Sequence, residues 1–172
     1  MEKPDQKRGL YRPERSKDSC GFGLIAHQYG ETSHELISTA CTALARMTHR
    51  GAIAVDGKTG DGCGVLMQFP RSFFKKVAKD AGIRLGRVFG VGMVFLNSDP
   101  AIAARSRKIL EKHIENETMG IAGWRTVPTN PSVCGQMALD SMPMIEQVFV
   151  NAPPGWGPHD VERRLFVARR MA

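Results

Sequence analysis

The sequence has little of what several protein classes require. It contains no apolar run near the roughly 18 to 20 residues of a membrane-spanning helix. Its first nineteen residues alternate basic and acidic side chains where a signal peptide needs a greasy stretch, so the chain is expected in the cytoplasm, with no membrane partner. There are four cysteines, Cys20, Cys41, Cys63 and Cys134, and no C-x-x-C pair among them. That spacing suggests neither a zinc site nor a compact disulfide framework; no metal is expected, and free thiols fit better. No internal repeat is visible, and aromatics make up only 7% of the residues.

What is present is an ordinary globular composition: 172 residues, 42% hydrophobic and 24% charged, enough for one domain with a sizeable core. The net charge of +7 is concentrated in 71–87, where Arg71, Lys75, Lys76, Lys79, Arg84 and Arg87 face the single acid Asp80. Nucleic acid is not the expected partner. Phe73 and Phe74 sit where an amphipathic helix buries them, and no basic-aromatic interleaving follows. The charge reads as a solvated face, or as a surface that docks on acidic protein.

Residues 1–19 lack apolar periodicity and read as a flexible leader. Apolar groups alternating with glycine from Cys20 to His27 predict a strand. Thr32 and Glu35 have capping-box spacing, and Leu36, Ile37, Ala40, Cys41 and Leu44 form one stripe, so a helix is expected up to Arg50-Gly51 with Cys41 in the core. A Gly-rich loop from Ala52 to Gly64 precedes an expected buried strand, Val65 to Phe69. Pro70 opens a helix to about Ala81, and Val88 to Leu96 is a strand with Gly90 and Gly92 on one face. Asp99 caps a helix with Pro100 at its first position, whose predicted inner stripe is Ile102, Ser106, Ile109, Leu110, His113 and Ile114. A strand at 121–127, a weakly patterned segment near Met137 and a strand ending at Val150 follow. The last helix, from Pro158, turns Val161, Leu165 and Ala168 inward and Arg163, Arg164, Arg169 and Arg170 outward. It reaches Ala172 with no stop signal, so the domain is expected to be incomplete, its leading part only.

One motif and three residues carry candidate chemistry, each with a structural alternative. Gly57-Lys58-Thr59 has the end of a phosphate-binding loop, but Ala52 stands where that motif requires glycine, and no helix follows. Asp61 is a tight-turn residue or a wall of a site. Arg50, beside His49, interacts with the carbonyl end of a helix or holds an anionic substrate group. Cys20 is a buried cysteine at a strand start, or a nucleophile freed by removal of the leader. As a terminal residue it carries a thiol of reference pKa about 8.5 and an α-amine of about 7.7 to 8.0, so the amine serves as base for its own nucleophile.

Three motifs in order decide between these readings. They are Asp18-Ser19-Cys20-Gly21-Phe22-Gly23-Leu24-Ile25-Ala26, then Ala45-Arg46-Met47-Thr48-His49-Arg50-Gly51-Ala52, then Asp56-Gly57-Lys58-Thr59-Gly60-Asp61-Gly62-Cys63-Gly64. Together they resemble the start of the large subunit of bacterial glutamate synthases, and the likeness continues through Glu162-Arg163-Arg164-Leu165. The resemblance implies a propeptide, 1–19, and from 20–172 the N-terminal part of a class II glutamine amidotransferase domain. It implies an α+β fold, the αββα sandwich of antiparallel sheets found in N-terminal-nucleophile enzymes. Cys20 is then the nucleophile towards L-glutamine, Arg50 a wall of the glutamine site and Asp61 a further candidate. The ammonia released would pass to a flavin domain that converts 2-oxoglutarate to glutamate.

FMN and an iron-sulfur cluster are implied for the full-length subunit, with none in this segment, and the implied partners are the rest of the large subunit and the small subunit. The family's oxyanion donors come from an Asn-Gly pair, a dipeptide absent from these 172 residues, so the chain alone is expected to be inactive. Two alternatives remain: another class II amidotransferase with a different ammonia acceptor, or an inert fragment that acts as a binding piece.

Overall fold

A computed structural model describes residues 21–47, 53–60 and 62–172. The described residues fall into two compact units, one holding 21–47, 60 and 62–65, the other 53–59 and 66–172.

In the first unit, helix α1 spans His34–Arg46. Its cap is Ser33, whose hydroxyl accepts from the Leu36 amide at 3.3 Å, one residue on from the expected Thr32. Either hydroxyl offers the same acceptor, and the extended backbone at Ser33 decides which one is used. The helix stops at Arg46, short of the expected Arg50, with the Met47 amide folding back on the Leu44 carbonyl. Leu36, Ile37, Ala40 and Leu44 are half-buried, whereas Cys41 is exposed, contrary to its expected place in the core. Cys41 lies at the margin of the stripe. The strand expected from Cys20 to His27 does not form over the described part, 21–27, which is exposed and unpaired. Alternation prepares a segment for a sheet, but a strand exists only where a neighbour supplies the ladder.

The second unit is mixed helix and antiparallel sheet, the α+β class expected. Val65 to Phe69, likewise expected as a strand, is irregular and exposed, with Val65 in the first unit and the rest in the second. Helix α2 (Arg71–Asp80) follows, with Pro70 at its cap position. Strand β1 (Phe89–Leu96) leads through α3 (Pro100–Asn116) to β2 (Gly120–Thr126). A short turn of 3-10 helix at Pro131–Val133 and α4 (Gln136–Asp140) precede β3 (Met144–Asn151) and α5 (Pro158–Met171). The sheet order is β1-β3-β2, so the last strand inserts between the first two and runs antiparallel to both.

The faces of the sheet follow from period two along β3. Val148 and Val150 point to α3 and α5 and make the core with Ile114, Met119, Val161 and Ala168. Leu165 packs so closely on β1 that a methyl at Gly90 would collide with it, which explains the glycine there. Asp99 caps α3 as expected, its carboxylate accepting from the amides of Ala101 and Ile102 at 2.7 and 3.3 Å. The inner face of that helix overlaps the predicted one: Ile114 is buried and Ser106, Leu110 and His113 are half-buried as expected, whereas Ile102 and Ile109 are exposed and Ala103 is buried. Charged side chains take the other turned-in positions. Arg107 clamps Glu146 of β3 through two bonds of 2.6 and 2.7 Å, and Glu111 accepts from the Trp124 indole at 2.6 Å. The Glu146 carboxylate holds the Arg107 guanidinium above its usual pKa, so it stays charged.

On the opposite face Phe149 is fully buried against Phe74 of α2, with Phe69 and Phe89 adjoining. Phe74 is half-buried, but Phe73 is exposed, against expectation, because it lies a helical step off the face that meets the sheet. Farther along this face, Met93 and Phe95 are 52% and 64% exposed. Among the described residues no helix is long and apolar enough to cross a membrane.

Candidate active site

Cys20, Arg50 and Asp61 lie outside the described residues. Their described flanks are informative. Gly21, next to Cys20, lies against Met47, three residues before Arg50: a methyl added at Gly21 would stand 3.0 Å from the Met47 terminal carbon. The segment that follows Cys20 therefore meets the C-terminal end of α1, the end from which the chain leads to Arg50. Beyond Gly21 the chain runs exposed to a turn, where the Gly30 amide donates to the His27 carbonyl at 3.1 Å and the Glu31 amide to His27 Nδ1 at 3.3 Å.

The segment before Asp61 is a tight turn built on Asp56. One carboxylate oxygen accepts from the amides of Lys58 and Thr59 at 3.0 and 2.7 Å, and the other from the Thr59 hydroxyl. Gly57 takes a positive φ of 69° and its amide donates to the Ala54 carbonyl, while the Ala54 amide donates to Thr59. The second oxygen also accepts from the Met137 amide at the start of α4, at 3.4 Å. Here Gly135 is needed, because a side chain would run into Asp56 and Thr59. The Thr59 hydroxyl, then the Thr59 and Lys58 amides, hold the Asp56 carboxyl well below the usual carboxylate range.

Two conclusions follow from this turn. With the amides of Gly57, Lys58 and Thr59 all donating within it, none converges on a phosphate, which removes the phosphate-loop reading on geometry as well as on sequence. Asp56 is a structural anion, its lone pairs already engaged. Sequence reasoning assigned it no role, although Asp followed three residues later by Thr across a glycine is the signature of such a turn.

A lowered folded pKa means that Asp56 steadies the turn fully above its ordinary value of 3.8, and that this contribution is lost as pH falls towards the lower folded value. Asp56→Ala is expected to speed hydrogen exchange at the Lys58 and Thr59 amides at neutral pH and leave the β3 amides unchanged. Unaltered exchange at both turn amides would remove Asp56 from this role.

Cys41, Cys63 and Cys134 are free thiols, and among the described residues no three His, Cys, Asp or Glu side chains are grouped to hold a metal ion.

The family model for class II glutamine amidotransferases matches residues 20–172, beginning at Cys20. The chain belongs to this family. Curated relatives carry the comparison further. The glutamate synthase [NADPH] large chain of Bacillus subtilis (strain 168) is 38% identical over 165 residues, 95% of this chain and 11% of that protein. The chloroplastic ferredoxin-dependent glutamate synthase of Spinacia oleracea is 39% identical over 157 residues, 90% of this chain and 10% of its own. Glutamate synthase [NADH] of Saccharomyces cerevisiae is 37% identical over 181 residues, 98% of this chain and 8% of its own. The chain thus spans about a tenth of the length of the relatives it matches. Their names differ in carrying NADPH, ferredoxin and NADH, yet all three match this chain at nearly the same identity.

Proposed function

We propose that this chain is the N-terminal part of the glutaminase domain of a glutamate synthase large subunit, and that Cys20 is its nucleophile. The observation that carries the reading is the family match beginning at Cys20 and running through 172. Residues 1–19 act as a leader whose removal converts the Cys20 nitrogen from an amide to an amine. That amine takes the thiol proton, the sulfur attacks the side-chain amide carbon of L-glutamine, and a tetrahedral oxyanion forms. The C–N bond then breaks, ammonia leaves with the returned proton, and a γ-glutamyl thioester remains. Water hydrolyses it to glutamate and regenerates the thiol.

Each preorganised donor to the oxyanion is worth about 2.7 to 4 kcal/mol. With no Asn-Gly pair among these residues, that role falls to the full-length subunit, and the chain by itself is inactive. Arg50 is a wall of the glutamine site; the contact of Gly21 with Met47 supports its nearness to the nucleophile. Asp61 follows the Asp56 turn closely and is a further candidate. The sheet flanked by α3 and α5 supports placement in an αββα sandwich, with the second sheet on the side of Met93 and Phe95. Ammonia passes to the flavin-bearing remainder of the large subunit, where 2-oxoglutarate accepts it. FMN and the iron-sulfur cluster belong to that remainder, and the small subunit is a partner of the holoenzyme. Every relative compared carries glutamate synthase in its name, which favours this acceptor over another amidotransferase's.

The test is covalent labelling of the full-length subunit with diazo-oxo-norleucine, followed by peptide mass mapping. The expected product is a single adduct on a peptide whose N-terminus is Cys20. An adduct on Cys41, Cys63 or Cys134 instead, or full labelling with Met1 still attached, would overturn the assignment.

A further inference from the structure

The C-terminal end of α2 and the loop after it enclose an open cleft of about 550 Å³. Lys75, Lys79, Arg84 and Arg87 ring it, and Ile83 and Leu85 contribute its apolar part. The backbone of this loop is held from outside. Asn151 of β3 accepts from the Gly86 amide at 2.8 Å and donates to the Arg84 carbonyl at 3.1 Å, and Arg71 donates to the Arg87 carbonyl at 2.8 Å. The amides of Gly82 and Ile83 close onto the last turn of α2. None of the four ringing cations has a side-chain acceptor among the described residues. The one acid of the stretch, Asp80, is paired with Lys76 at 2.9 Å.

These features discriminate among anions. A compact phosphate prefers convergent backbone N–H groups or a helix N-terminus. Here the helix presents its carbonyl end, and the Gly82, Ile83 and Gly86 amides are already engaged. A nucleic-acid strand needs stacking platforms. The neighbouring Phe74 and Phe89 are instead turned into the aromatic cluster with Phe69 and Phe149. Carboxylates distributed along a chain suit separate, long-stemmed cations better. Lys75 and Lys79, four residues apart on α2, are about 6 Å apart at their base. Alternate residues of an extended strand are about 6.7 Å apart.

We propose that this cleft docks an extended acidic segment of a partner protein, with Asp or Glu at alternate positions. Its carboxylates pair with Lys75, Lys79, Arg84 and Arg87, and its aliphatic parts rest on Ile83 and Leu85.

The experiment measures fluorescence anisotropy of a labelled alternating Glu-Ser peptide titrated with the full chain, at low and at physiological ionic strength. Saturable binding that weakens with salt is expected. The double variant Lys79→Glu/Arg84→Glu should lose at least about tenfold in affinity, the reversal of two exposed charge contacts. Arg169→Glu/Arg170→Glu on α5 changes net charge equally and should retain binding. Circular dichroism checks both folds, and the milder Lys79→Gln/Arg84→Gln should show an intermediate loss if the reversal pair fails to fold. Equal loss in the two charge-matched pairs, absence of binding by the unaltered chain, or equally tight binding of an oligothymidylate of matched charge would each overturn the proposal.

Discussion

Cys20→Ala in the full-length subunit is expected to reduce glutamine-dependent glutamate formation by on the order of 10⁴-fold or more, the scale on which a covalent nucleophile is lost. Ammonia-dependent formation should be unchanged. The split follows from the proposed chemistry: glutamine must be opened at a sulfur, whereas free ammonia reaches the acceptor without that step. Blocking removal of residues 1–19 should mimic the substitution, because an amide nitrogen at Cys20 takes no proton. Parallel assays with glutamine and with ammonium, on both proteins, read the result. Equal loss of the two activities in Cys20→Ala would remove Cys20 as the glutaminase nucleophile. So would full glutamine turnover with the leader intact.

The second large effect is structural. Phe149 sits in the central strand with no exposure, and its ring meets that of Phe74 edge-on at a centroid distance of 6.3 Å. Phe149→Ala removes the buried ring against which Phe74 of α2 packs and leaves a cavity between them. The expected loss is about 3 to 5 kcal/mol, the range for truncating a buried phenylalanine. In urea this should appear as a fall in the unfolding midpoint with little change in slope. A loss below about 1 kcal/mol would mean that α2 does not depend on this contact.

Within the sheet, local chemistry was legible from sequence wherever one residue type has one use. Asp99 before Pro100 starts α3 because the carboxylate accepts the first free amides and proline needs none. Val161, Leu165 and Ala168 turn inward on α5 because an apolar stripe at helical spacing has only one place to go. The inner face of α3 was legible only in part: Leu110 and Ile114 turn inward as the stripe requires, but the rest of that face does not follow the apolar pattern. Apolar periodicity gives weight to Ile102 and Ile109 and none to Arg107 or Glu111, yet the charged pair faces inward because Glu146 and Trp124 wait there. Those partners lie in other strands, and only the fold brings them within reach.

By itself the sequence determined the family, the α+β composition and the positions of most helices and three strands, and it supplies the motif on which the proposal for Cys20 rests. Ordered motifs and capping residues act locally and survive without knowledge of neighbours. Tertiary structure alone decided that β3 lies between β1 and β2, that 21–27 and Val65 to Phe69 form no strand, and that Cys41 is exposed. It also decided that Asp56 gives its charge to a turn and that four cations near α2 have no side-chain acceptor among the described residues. Each of these depends on which surface meets which, and hydrogen-bond ladders, ion pairs and burial exist only between partners that the linear pattern does not name.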